Sequence, residues 1–159
     1  MNNLAEFIRI RPATAEDKNF IISMIPRLTA FGPPHWRDVK SMTSLDTQVI
    51  LESLHQEQDG TAIFIAEDEN HQPLGLIHLF MGSDYYQKTP HAHISDLIVA
   101  TGAEGRGVGE SLMQAGETWA KDHGFHWLTL SVFAQNVRAR KLYERMGFGE
   151  DIVKYVKEL

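Results

Sequence analysis

The sequence predicts an α/β domain: a mixed sheet flanked by helices, one domain spanning 1–159. Three observations predict it. Short runs rich in Ile, Val, Phe and Leu read as strands. Longer stretches between them repeat their apolar residues at helical spacing. Gly, Pro and Asp/Asn clusters separate the two kinds of run. Helical and strand-like runs alternate along the chain instead of segregating, which is the pattern of an α/β fold. A length of 159 residues is enough for one sizeable core.

Each element has its own signal. Glu6 to Arg11 (EFIRIR) alternates and reads as a first strand, ended by Pro12. Thr14 followed three residues later by Asp17 resembles a capping box, so a helix is expected to about Thr29. Phe31 to Ser44 holds Gly32, Pro33 and Pro34 and reads as an irregular loop carrying His35 and Trp36. Leu45 to Gln58 is a second helix, with Val49, Ile50 and Leu54 as its stripe. Thr61 to Glu67 and Leu74 to Met81 flank a polar turn and form a hairpin. A loop from Gly82 to Pro90 carries Tyr85 and Tyr86, and His91 to Ala100 is the next strand. The third helix runs from Val108 to His123 and closes at Gly124. His126 to Phe133 is a strand, Asn136 to Met146 a helix, and Asp151 to Lys157 a last strand.

Composition narrows the function. Fifteen Lys and Arg against 21 Asp and Glu give a formal charge of -6, which argues against a broad nucleic-acid surface. The acidic excess is compatible with a cationic substrate such as an amine. No cysteine is present, so thiolate nucleophiles, disulfides and Cys-based zinc sites are excluded. This fits a cytoplasmic protein. No apolar run approaches the roughly 20 residues that span a bilayer, and the first residues lack the apolar core of a signal peptide. No metal and no membrane contact is expected.

The stretch Glu104-Gly105-Arg106-Gly107-Val108-Gly109 joins a strand to a helix. Its glycines leave backbone N–H groups unshielded at a helix start, where the dipole favours an anion. A tight turn explains the same residues equally well. It is not a Walker loop, since no Gly-Lys-Ser/Thr follows, and no acid closes the next strand as a dinucleotide fingerprint requires.

A second stretch decides between these readings. SVFAQNVRARKLYERMGF, Ser131 to Phe148, contains Asn136, Ala139, Leu142, Tyr143, Gly147 and Phe148. With the glycine turn upstream, it resembles the GNAT superfamily, the Gcn5-related N-acetyltransferases, in motif order and spacing. The resemblance implies a mostly antiparallel sheet splayed at its central strands. It implies acetyl-CoA as cofactor, with its pyrophosphate on the backbone of Gly105, Arg106, Gly107, Val108, Gly109 and Glu110. It implies that Leu97, Ile98 and Val99 bind the pantetheine arm and that Asn136 contacts the cofactor while capping its helix. Glu104 departs from the family's usual Gln or Arg and places an acid beside that pyrophosphate.

Chemistry follows from the same resemblance. Tyr143 is the expected general acid for the leaving thiolate, because a phenol is protonated at neutral pH. Relatives carry a strand glutamate as base at positions that are His93 and Ser95 here. His93 is the first choice of base. Asp96 ranks second, because strict alternation turns it to the opposite strand face, and His91 is a further candidate. Trp36, Tyr85 and Tyr86 are expected to wall the acceptor pocket by cation–π contact, with Asp84 adding charge. The implied reaction moves acetyl from acetyl-CoA to a primary amine by direct attack. The acceptor is a small molecule, polyamine or peptide amine, with a small molecule favoured. A homodimer is compatible with the sequence. The alternative is a non-catalytic acyl-CoA-binding or regulatory module on the same fold.

Overall fold

The computed structural model describes residues 7–55 and 60–159. Five strands, β1 (Arg9–Pro12), β2 (Thr61–Glu67), β3 (Pro73–Ser83), β4 (Pro90–Val99) and β5 (Leu128–Leu130), form one sheet in that order. The first three pairings are antiparallel and β4–β5 is parallel. Four helices flank it: α1 (Lys18–Met24), α2 (Val39–His55), α3 (Val108–Asp122) and α4 (Val137–Arg145). The expected α/β class, mixed sheet and hairpin are present.

Both faces of the sheet are covered, which explains why β2 reads as a nearly continuous apolar run. Ile77, Leu79, Ala92 and Ile94 meet α3 through Leu112 and Met113. Ile63, Ile65, Leu76 and Ile98 meet Ile21, Ile25 and Ile50 from the α1–α2 layer. Gly75 lets the β4 backbone and α3 approach β3 closely. A Cβ there would lie 2.7 Å from the carbonyl oxygen of Ile98 and 3.2 Å from side chains of Leu112 and Val108.

Two features of β4 shape the site. Opposite β3, His78 faces Asp96 but Leu79 faces Ile94, so Ser95 is the extra residue of a β-bulge. Ala92 and Ile94 before the bulge, and Leu97 and Val99 after it, pack in the α3 cluster, whereas Ile98 packs in the α1–α2 cluster. The bulge therefore reverses which residues face which layer. The second feature is the short reach of β5, which pairs only Leu128, Thr129 and Leu130 with Ala92, His93 and Ile94. Beyond Ile94 the two chains separate, and this is the expected splay.

Several boundaries differ from expectation. Glu6 lies outside the described residues. The capping box exists, with the Thr14 N–H donating to Asp17 at 2.8 Å. Its helix breaks into 3-10 turns, Ala15–Asp17 and Ile25–Thr29, the latter where Pro26 removes a donor. Asp17 is buried and takes two bonds from Arg11, at 2.8 and 2.9 Å, so it anchors β1 as well as capping. Helix α2 starts at Val39, inside the stretch expected to be irregular. Asp38 caps it by accepting from the N–H of Ser41 at 2.9 Å; residues 56–59, including the expected helix end at Gln58, are outside the described residues. The strand expected over 126–133 shrinks to β5, because it holds a ladder partner only where β4 runs beside it. The expected last strand, 151–157, is absent: Ile152, Val153, Tyr155 and Val156 are exposed and join no sheet. β-rich composition makes no strand without an edge to pair with.

Candidate active site

The splay opens a cleft of about 790 Å³ between β4 and α4, roofed by the loop that leads into α2. One end of the cleft is the glycine turn. Gly105 and Gly107 have φ of +75 and +83°, and Gly107 is the N-cap of α3. Left-handed backbone at two positions within three residues is the reason for glycine there. A Cβ on either would meet nothing within 4 Å, so this stretch lies open. The first α3 backbone bond runs from the N–H of Ser111 to the carbonyl of Gly107, which leaves the preceding N–H groups at the helix start without an intrahelical acceptor. Gly109 serves packing instead: its Cβ would sit 3.3 Å from Leu142 of α4.

Glu104 is not an isolated acid. Its carboxylate accepts from Arg27 at 2.7 Å and lies 3.2 Å from Arg138. Arg27 is fixed by a second bond, from its Nε to the carbonyl of Val99 at 2.7 Å. Both arginines line the cleft. Glu110 at the start of α3 pairs in turn with Arg145 at 3.0 Å, so three cleft-lining guanidiniums face two carboxylates and the local charge is positive. Sequence alone showed the acid but not its partners, which come from the end of the first helical segment and from α4. The backbone and charge of this end suit a pyrophosphate.

The middle of the cleft is lined by Leu97, Ile98 and Val99 along β4, and by Asn136 and Tyr143 from α4. Asn136 caps α4, its Oδ1 accepting from the N–H of Ala139 at 3.2 Å. Tyr143 packs against Phe148 and makes no side-chain hydrogen bond among the described residues. Burial, with the nearby charge of Asp96, raises its pKa, so the phenol stays protonated. Of the glycine turn, Gly105, Gly107, Val108, Gly109 and Glu110 line the cleft and the Arg106 side chain does not.

At the bulge the site turns acidic. Asp96 is buried, and its Oδ2 lies 2.9 Å from His78 Nδ1. Because a carboxylate can only accept, His78 donates through Nδ1. His78 Nε2 lies 2.9 Å from Ser53 Oγ on α2. The opposite-face expectation for Asp96 is corrected here: the bulge at Ser95 breaks the alternation on which it rested and turns Asp96 toward the α2 layer. Asp46 of α2 also lines the cleft, and burial, then the charge of Asp96, raises its pKa. Sequence reading missed Asp46. The signal was present, since Asp46 stands three and four residues before Val49 and Ile50 and so interrupts the apolar stripe with a carboxylate.

Other candidates stand elsewhere. His93 does not line the cleft; its Nδ1 is hydrogen-bonded to Thr129 Oγ1 at 2.7 Å and its ring packs on Phe80. Burial, then the neighbouring His91, lowers its pKa. Tyr85 and Tyr86 contact each other edge-on and are 83% and 80% exposed, outside the lining. Trp36 is also outside it, but its ring carries the guanidinium of Arg37 at 4.2 Å, and Arg37 does line the cleft. Phe31 and Phe133 stack at 5.3 Å beside it.

The comparisons with known proteins agree with this architecture. The chain belongs to the acetyltransferase (GNAT) family, whose model matches residues 29–148; members of this family use acetyl-CoA. It is 33% identical over 95 residues to an uncharacterized N-acetyltransferase, YhfO, of Bacillus subtilis (strain 168). That alignment covers 60% of this chain and 63% of the relative, less than two thirds of its length. Among solved structures, a putative acetyl transferase from Pyrococcus furiosus superposes with a TM-score of 0.77 at 24% identity, covering 96% of this chain and all of that one. AAC(6')-Iy, solved with the bisubstrate analog CoA-S-monomethyl-acetylneamine, superposes with a TM-score of 0.68 at 21% identity, covering 96% of this chain and 99% of that one.

Proposed function

We propose that this protein transfers acetyl from acetyl-CoA to the primary amine of a small molecule by direct attack. One observation carries the reading: a single cleft joins a glycine-rich helix start, the edge of β4 that β5 leaves uncovered and a protonated tyrosine. Acetyl-CoA supplies the thioester carbonyl and the sulfur leaving group. The N–H groups at the start of α3, with Arg27 and Arg138, hold the pyrophosphate. The β4 backbone from Leu97 to Val99 lies along the pantetheine arm where β5 has ended, with the Val99 carbonyl already held by Arg27. Asn136 keeps the start of α4 in place beside it.

Tyr143 donates its phenolic proton to the departing sulfur. Its raised pKa keeps that proton available at neutral pH, and its hydroxyl has no hydrogen-bond partner among the described residues. The amine must lose a proton before it can attack. We assign that task to the carboxylates at the bulge, Asp46 and Asp96, in place of His93. Burial and mutual repulsion move Asp46 toward the working pH, where a general base is most effective. His78 orients Asp96 from behind. With no cysteine in the chain, no thioester on the protein intervenes. The analogue bound by AAC(6')-Iy, which joins CoA to an amine acceptor, supports a fold of this kind seating both in one cleft.

The test is thiol release from acetyl-CoA across a panel of amines, run with wild type and Tyr143→Phe. Turnover on some amines is expected, and kcat should fall about 10²- to 10⁴-fold in the variant, the range for losing a positioned acid. CoA affinity should change little. Tight CoA binding with no turnover on any amine would favour the non-catalytic module, and full activity of the variant would remove Tyr143 from its role.

A further inference from the structure

Arg37 is an unexplained cation. Its guanidinium lies 4.2 Å from the Trp36 ring centroid and 5.2 Å from that of Phe133. It forms no ion pair among the described residues. The neighbouring carboxylate, Asp38, is occupied by the N–H and hydroxyl of Ser41, at 2.9 and 2.6 Å. The Nε of Arg37 is sealed from water and has no hydrogen-bond partner among the described residues. A buried donor without an acceptor costs stability, and a charged one costs more. Aromatic rings hold a guanidinium by its faces and leave its in-plane fork for a planar anion. Arg37 lines the cleft.

The opposite sign stands deeper in the same cleft. Asp46 is seven residues into α2, so the rise of the helix places it about 10 Å along the axis from the helix start beside Arg37. Asp46 and Asp96 flank the bulge, where the amine must lie to be deprotonated. The cleft therefore offers a cation at its mouth and carboxylates at its reacting end.

We propose that Arg37 is an anion subsite for the acceptor, and that the acceptor is an amine bearing a carboxylate several bonds from its nitrogen. This rests on the amine-acetylation reading above and narrows it. A carboxylate would receive N–H bonds from the two Nη groups of Arg37, its Nε being sealed, while the ammonium approaches Asp46 and Asp96. Polyamines and polycationic amines would bring like charge to Arg37 and are disfavoured.

The experiment uses 4-aminobutanoate and 5-aminopentanoate, their methyl esters, and the matching alkylamines and a polyamine. Wild type should acetylate the free acids with kcat/KM about 10- to 100-fold above the esters, the span expected of a charge-assisted bidentate contact. Arg37→Ala should abolish the ratio of acid to ester kcat/KM, and Arg37→Lys should recover only part of it. Equal use of acids and esters by wild type, or a preference for the polyamine, would overturn the subsite and leave the acetylation reading intact. A readout independent of turnover separates the two claims. The Arg37 Nε–H resonance of wild type should shift on adding 4-aminobutanoate and not on adding its methyl ester. A shift without turnover on any amine would uphold the subsite and defeat the transfer reading, and no shift would overturn the subsite.

Discussion

Glu104 offers a sharp electrostatic test, because it is an acid inside the proposed anion site. Its carboxylate bonds Arg27 at 2.7 Å and lies 3.2 Å from Arg138. Replacing Glu104 by Gln keeps the shape and deletes one negative charge. Arg27 should stay in place, since the Val99 carbonyl still holds its Nε at 2.7 Å. A pyrophosphate on the far side of these guanidiniums would lie about 7 Å from the carboxylate. At that distance, unit charges in water repel by about 0.6 kcal/mol, and two phosphate charges double it. Screening at physiological salt, with a Debye length of about 8 Å, removes roughly half. The net is about 0.5–1 kcal/mol, or CoA bound about 2- to 5-fold more tightly by Glu104→Gln. Partly exposed ion pairs contribute about 0–1 kcal/mol to folding, so stability should fall only slightly. Calorimetric titration of CoA at low and high salt measures this directly. The advantage should be largest at low salt and vanish near 1 M. Weaker CoA binding by the variant at low salt would refute the reasoning and make Glu104 the organiser of Arg27 and Arg138.

Two more predictions follow from the same geometry. Asp46 has a raised pKa, so its charged form costs stability as pH rises through the folded value, whereas below the unfolded value it is neutral in both states. Asp46→Asn should therefore raise Tm at pH 7 and leave it nearly unchanged near pH 3, and a lower Tm at pH 7 would contradict the burial argument. Gly75→Ala places a Cβ 2.7 Å from the Ile98 carbonyl, which cannot yield as a flexible side chain would. Overpacking of this kind costs about 1–3 kcal/mol, about 2–4 °C of Tm per kcal/mol in a chain this size. Because the strain falls on β4, CoA affinity should drop with it; a thermal melt and a CoA titration equal to wild type would show that β4 does not bear the contact.

Local pattern determined much of this protein. Period-two and period-3.6 runs, with glycine and proline punctuation, located the elements and the class, because each signal is carried by residues close in the chain. The glycine turn and the Asn136–Tyr143 stretch were legible for the same reason, and the structure brings both to one cleft. Asp46 was half legible, as a carboxylate in an apolar stripe. What tertiary structure decided depends on partners far apart in sequence. The bulge at Ser95 exists only against β3, and it alone turns Asp96 toward α2, which no alternation rule could foresee. Glu104 changed from a liability to a paired charge because Arg27 and Arg138 arrive from distant elements. The residues 151–157 had strand-forming composition but no edge to join, since a strand is completed by its neighbour's backbone. Arg37 became notable only when the fold set it between Trp36 and Phe133 and left it without a counter-ion among the described residues, for an unmet charge is a property of a neighbourhood and not of a residue.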